Sequence, residues 1–392
     1  MLSLKNLEKV KPFFEKISRG ERDLNSFSKF LKEENLSRNE KKVLSRLLIE
    51  SITFKNRNRY IIEIFSKKSK RNFYKNDIKL FFAINSLLRG LPRRFDLVEE
   101  KNLIVKLLKK NKYKLLKDFL ENEYIENLKG LKEKDLVKFY EVTQSHPGWF
   151  IKNLFKDLGN EKSIKILKYN NLEPFIYFKG GLQEGKIPLE DFLIEGVFSS
   201  SKILFSTFCD FYFKSLSPKK GEKILICGDK ISSTHMSYLI TKGVRIFIIS
   251  EKNFKKYENI EFVKLKEVEK ISPDRIIFLT KSSECGNWRN KVELRWTITP
   301  EIAKKRREKN LEELLKILKN VKGRCQAEIV SESILDFENG ALLKMLKRNL
   351  RIRSIKRGDF EKIAFRKGMG YLFLPSKLLD ISGGFVSILE KF

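Results

Sequence analysis

Apolar positions in the first third of the chain fall at helical spacing. Leu7, Val10, Phe13, Phe14 and Ile17 share one helix face, and Phe27, Phe30 and Leu31 share another. Ser37 is placed to cap a longer helix carrying Val43, Leu44, Leu47, Leu48 and Ile52. Ile78, Phe81, Phe82, Ile84 and Leu88 mark the next one, which stops before Gly90 and Pro92, and two more are predicted around 103–108 and 115–125. No stretch before about residue 130 reads as a convincing strand, so residues 1–130 are expected to form a bundle of five to seven helices. Residues 131–217 read as a connector, with helices at 145–158 and 163–170, a strand at 173–178, and a helix bearing Leu204, Phe208, Phe211 and Phe213.

From Lys223 the period changes. Runs at 224–227, 244–249, 261–265, 276–279 and 326–330 read as strands, with a helix at 236–241 between the first two, and 370–373 with 384–389 as a terminal strand pair. A helix over 300–318 is expected to start with Thr299 as N-cap and Pro300 at its first position. Strands separated by crossover helices predict a mostly parallel, doubly wound sheet over 218–392. The expected class is therefore α plus α/β, with a helical bundle, a short connector and a Rossmann-like sheet.

Composition supports ordered domains: 41% of residues are hydrophobic and 12% aromatic, including 32 Phe, which is ample core material. Charge changes the picture more. Eighty-two Lys and Arg face 50 Asp and Glu, a net charge of +32, and such self-repulsion points to a polyanionic partner. RNA is the expected partner. Basic residues gather between helices at Lys55, Arg57 and Arg59, and again at Lys67, Lys68, Lys70 and Arg71. The four Cys have no paired spacing and there are two His, so neither a zinc site nor a disulfide framework is expected, and no metal. No apolar run reaches the length of a membrane span and the first residues lack a signal-peptide core, so a cytoplasmic monomer is expected.

The strand at 276–279 opens into a polar loop containing Cys285 and Gly286, passes Arg295-Trp296 and enters the helix at Thr299-Pro300-Glu301. Open α/β sheets place their active sites at such strand ends. Arg289, Lys291, Arg295 and Trp296 offer cations and an aromatic face suited to RNA phosphates and bases, while packing of Trp296 under the following helix is the alternative.

Several words then occur in one order. They are the segment from Leu36-Ser37 to Tyr60-Ile61-Ile62, Ser145-His146-Pro147-Gly148-Trp149, Asn170-Asn171-x-x-Pro174, Pro218-Lys219-Lys220-Gly221, Asp274-Arg275-Ile276-Ile277-Phe278-Leu279, Arg295-Trp296 and Ser333-Ile334-Leu335-Asp336-Phe337-Glu338-Asn339. In these the chain resembles the bacterial ribosomal-RNA cytosine-5 methyltransferases of the Sun/Fmu type. The resemblance implies a NusB-like helical RNA-binding domain, a linking segment and a Rossmann-like S-adenosylmethionine domain acting on ribosomal RNA.

That family's chemistry adds a thiolate to carbon 6 of cytosine so that carbon 5 can take the methyl group, a task suited to cysteine. The resemblance places Ser282 at the nucleophile position, Leu279 where the base-holding aspartate stands, and Glu332 at the second-cysteine position. Cys285, three residues downstream, is the outside candidate for a displaced nucleophile. For S-adenosylmethionine the resemblance leaves Gly228 and Asp229 in place of the glycine loop and Glu251 as the ribose acid. The expectation is an RNA-binding member without catalysis; an active methyltransferase with an altered site and a NusB-like transcription factor are the alternatives.

Overall fold

A computed structural model describes residues 3–21, 24–88, 98–171, 207–228, 238–249, 260–289, 291–375 and 382–392. It divides into two compact units, Met1–Asn171 with Val292–Thr297, and Leu172–Lys291 with Ile298–Phe392.

The first unit is helical throughout its described residues. Its helices are α1 (Leu4–Glu8), α2 (Lys11–Ser18), α3 (Leu24–Glu33), α4 (Arg38–Thr53), α5 (Lys55–Ser69), α6 (Ile78–Leu88), α7 (Val98–Leu108), α8 (Asn111–Asn122), α9 (Tyr124–Lys134), α10 (Leu136–Thr143) and α11 (Gly148–Asn170). The apolar faces expected from spacing form its core, including Leu7, Phe14, Leu44, Leu48 and Phe81. Ser37 caps α4 as expected: its Oγ accepts from the Glu40 amide at 3.2 Å and its own amide donates to the Glu40 carboxylate at 2.9 Å. Gly159, at φ 75°, breaks α11 between the two predicted helical stretches. Helices outnumber the five to seven expected and continue to Asn170, past the boundary placed near 130. The shortness of α10 and the many charges of α9 obscure their period. Residues 173–178 and Leu204 lie outside the described set.

The second unit carries a nine-stranded sheet in the order β3-β2-β1-β4-β5-β9-β8-β7, with β6 paired to β9. The strands are β1 (Lys223–Cys227), β2 (Arg245–Ile249), β3 (Ile260–Phe262), β4 (Arg275–Leu279), β5 (Cys325–Ser331), β6 (Ile352–Ser354), β7 (Phe365–Lys367), β8 (Gly370–Phe373) and β9 (Gly384–Lys391). The flanking helices used below are α12 (Thr207–Ser215), α13 (Pro300–Asn320) and α14 (Asp336–Asn349). Strands β1 to β5 pair in parallel, whereas β6 to β9 pair antiparallel, so the sheet is mixed rather than mostly parallel.

Residues 238–241 are helical, in keeping with the helix expected over 236–241; parallel β1 and β2 need a crossover between them, and the apolar Leu239 faces the core. One predicted strand is corrected. The strand expected at 261–265 ends at Phe262, because the Glu267 carboxylate accepts from the Lys264 amide at 2.6 Å and starts a short 3₁₀ turn. Thr299 and Pro300 open α13 as expected, with Thr299 Oγ1 accepting from the Ile302 amide at 3.3 Å. The strand order reverses between β1 and β4, which places a crevice at their carboxyl ends.

Candidate functional site

Strand β4 ends at Leu279 and the chain enters a loop that is held from three sides. From α13, Asn310 brackets Lys281, accepting from its amide at 3.1 Å and donating to its carbonyl at 3.0 Å. Arg306, four residues earlier and on the same helix face, donates to the Ser282 carbonyl at 2.6 Å. From α14, the Glu338 carboxylate accepts from the Ser283 amide at 2.8 Å and its hydroxyl at 2.6 Å, and also from the Ser333 hydroxyl. From the chain after β5, the Glu332 carbonyl accepts from the Gly286 amide at 2.9 Å, and Gly286 in turn accepts from the Gly383 amide at 2.8 Å. Gly286 is required there, since a Cβ would lie 2.1 Å from the Gly383 carbonyl oxygen. Burial holds the Glu338 carboxyl above its ordinary range against the donors around it.

Ser282, at the expected nucleophile position, is 3% exposed, and its Oγ accepts from the Glu284 amide at 3.3 Å. The cavity beside it measures about 10 Å³, room for about one water and not for a pyrimidine. Glu332 is 1% exposed, with Lys291 at 3.7 Å and the Asn287 amide at 3.5 Å. Cys285 is fully buried; burial first, then Glu338, pushes its thiol up to about 12, and its sulfur accepts from the Ile334 amide. As a displaced nucleophile Cys285 is poorly served by this setting, since its thiol is closed off from solvent. Cys209, Cys227 and Cys325 are buried as well.

A cleft of about 500 Å³ opens at the carboxyl ends of β1, β2 and β4 against α13. Gly228 lines it at φ 116°, and a Cβ there would stand 2.4 Å from the Leu279 carbonyl, so close approach of β1 to β4 demands glycine. Lys264, Lys281, Arg306, Lys309 and Lys316 also line the cleft, against one carboxylate, Glu313, which already lies 3.6 Å from Lys309. Asp229 and Glu251 lie outside the described residues. S-adenosylmethionine presents a sulfonium, an ammonium and a ribose diol, which carboxylates recognise, and a carboxylate, which cations recognise; the described lining supplies five cations and one acid. Among the described residues no group of three or more His, Cys, Asp or Glu could hold a metal ion, and no helix is long and apolar enough to cross a membrane.

The residues expected to face RNA divide sharply. Arg295 is fully buried and belongs to the helical unit, where it donates to the carbonyls of Thr53, Ser145 and Asn170 and to the Asn171 side chain at 2.9–3.2 Å. Trp296 donates to the Ile52 carbonyl at 2.6 Å and packs against that unit's core. Neither is placed to meet a nucleic acid, which corrects the expectation for both: their polar atoms are spent within the helical unit. Lys291 pairs with Glu284 at 2.5 Å and Glu332 at 3.7 Å. Arg289 is half-buried at the end of the β4 loop. Arg57 donates to Asn85 at 2.8 Å and lies over Phe54, whereas Lys55 and Arg59 line a separate pocket described below. Sequence reasoning missed Ser283, Arg306 and Asn310, although the i,i+4 spacing of the last two on a predicted helix is a legible hint.

No family model matches the chain, and no curated protein matches it significantly. Among solved structures, the crystal structure of PH0851 superposes with a TM-score of 0.63 and 14% identity, covering 100% of both chains. The fold is thus shared over the whole length. A methyltransferase homolog protein from Pyrococcus horikoshii matches at 0.47 and 13% identity over 66% of this chain and 99% of its own. NSun6 from Pyrococcus horikoshii with SFG matches at 0.37 and 13% identity over 48% and 53%. At those scores the last two add nothing to the fold.

Proposed function

We propose that the chain is an RNA-binding protein on a methyltransferase fold that does not perform cytosine-5 methylation, and that ribosomal RNA is its target. The observation that carries this reading is the sealed β4 loop. Ser282 stands at the nucleophile position buried and hydrogen-bonded, and the nearby thiol, Cys285, is fully enclosed. An unactivated serine hydroxyl is not a nucleophile at neutral pH, and no histidine lies in the loop to activate it. Support for the RNA partner comes from the net charge of +32 and from the resemblance of residues 36–62 to a NusB-like helix pair. Of the proposed contacts, Lys55, Arg57 and Arg59 of the helical unit are the ones kept.

The test is a binding isotherm on ribosomal RNA over a salt series. Tight binding with a steep fall of log K against log salt is expected. Binding no stronger than that of an unrelated protein of equal charge overturns the reading, and so does methyl transfer to the RNA.

A further inference from the structure

A pocket of about 340 Å³ in the helical unit is lined by Ser18 and Arg19 at the end of α2, Lys55 and Arg59 on α5, and Tyr74 and Asn76 before α6. Its polar groups are unbalanced. Lys55 is 8% exposed and makes no ion pair or hydrogen bond; its ammonium lies over the Trp296 ring, 5.3 Å from the centroid. Arg59 stands four residues on, which puts two like charges on one helix face, an arrangement that destabilises the helix on its own account. Its guanidinium spends one donor, Nε, on Asn76 at 2.8 Å. Ser18 Oγ is buried without a partner. The one carboxylate in the lining, Glu15, accepts from Tyr74 at 3.2 Å and lies 4.0 Å from Arg19.

Buried charges in folded proteins are paired, because an isolated ammonium out of water is expensive. Here a buried lysine, a half-spent arginine and an orphaned hydroxyl share a pocket whose acid is already engaged. We propose that this pocket is a receptor for a phosphate group, with Lys55 and Arg59 as the charge partners and Ser18 as a neutral donor. Such a set matches tetrahedral oxyanions, whose oxygens accept from several convergent donors. Two sources share this chemistry: a backbone phosphodiester of RNA, which rests on the function proposed above, and free inorganic phosphate or a phosphomonoester. Desolvation and the neighbouring arginine lower the Lys55 ammonium to about 8, which leaves it charged at neutral pH and ready for an anion.

The experiment uses the full chain, with Lys55→Met, Arg59→Gln and Ser18→Ala as variants and circular dichroism to show that each folds. Melting temperature is read in inorganic phosphate and in chloride at equal ionic strength, and ribosomal RNA affinity over a salt series. Phosphate is expected to raise the wild-type melting temperature by a few degrees and to leave Lys55→Met unmoved, with Arg59→Gln and Ser18→Ala intermediate. If the source is RNA, Lys55→Met also weakens RNA binding about tenfold and lowers its salt slope by about 1, and free phosphate competes. If phosphate stabilises wild type alone while RNA binding ignores all three variants, the pocket stands with a free anion as its ligand. Equal response of wild type and all folded variants to phosphate, with unchanged RNA binding, overturns the proposal even where the wild type still binds RNA tightly.

Discussion

Two lysines, one in each unit, show how differently the two halves of the chain have been completed. Lys291 sits at the end of the β4 loop with Glu284 and Glu332 beside it; burial pulls its ammonium down, but the two carboxylates more than offset this and hold it above the ordinary range. Lys55 sits in the helical unit with a second cation and no acid partner, and burial followed by Arg59 brings it down to about 8. Around the first, the polar groups of the β4 loop are closed against one another. Around the second, donors are left without acceptors. A loop whose polar groups satisfy one another is self-sufficient, whereas a site that receives a ligand keeps a deficit that the ligand fills.

The largest effect expected on this contrast comes from Arg295. Arg295 donates to four acceptors, so Arg295→Met is expected to cost about 3 kcal/mol or more, at about 1–3 kcal/mol for each buried acceptor left without a donor, seen as a lowered denaturation midpoint; a loss below about 1 kcal/mol would mean that the buried bracket is dispensable. Lys55→Met should act in the opposite sense. The folded state holds Lys55 at about 8 against an ordinary 10.5. The unfolded chain therefore binds the proton more tightly, and stability is lost as pH falls from 10.5 towards 8. In phosphate-free buffer at neutral pH, the methionine variant should gain up to about 3 kcal/mol, with a flatter stability profile between pH 8 and 10.5. A loss of stability instead would show that Lys55 is an ordinary structural cation.

His146 gives a smaller effect. It is fully buried and donates from Nδ1 to the Gln144 carbonyl at 2.6 Å, with burial first and Arg295 second pushing its pKa well below 6.5. Its neutral form is favoured in the fold, so stability present above pH 6.5 should fall as the unfolded chain takes up the proton, by up to about 1.4 kcal/mol per pH unit. His146→Phe should remove that slope in denaturation series between pH 7 and 5. The smallest effect expected is from Ser282→Cys. Because the site beside it has room for about one water, the new thiol should resist thiol reagents in the native protein and give no methyl transfer. Rapid labelling, or activity, would show that the loop opens.

Much of the frame was legible in sequence because it depends on local signals. The Ser37 cap, the Thr299-Pro300 helix start and the β1, β2, β4 and β5 strands all follow from spacing and end residues. What failed depends on partners distant in sequence. Arg295 and Trp296 look like nucleic-acid contacts in a polar loop, until the carbonyls of Ile52, Thr53, Ser145 and Asn170, more than 120 residues away, take their donors. That a serine, Ser282, stands where the resemblance puts the nucleophile was visible in the sequence. That the loop is closed was not, since it takes Glu338, Ser333, Arg306 and Asn310 to close it.

The central claim, binding to RNA without methylation, is tested most directly on one sample. Ribosomal RNA is incubated with the full chain and S-adenosylmethionine carrying a tritiated methyl group, and both retention of RNA by the protein and tritium in the RNA are counted. Retention that falls steeply with salt, with tritium no higher than in a protein-free control, is the predicted result. Tritium in cytosine carbon 5 would contradict the account.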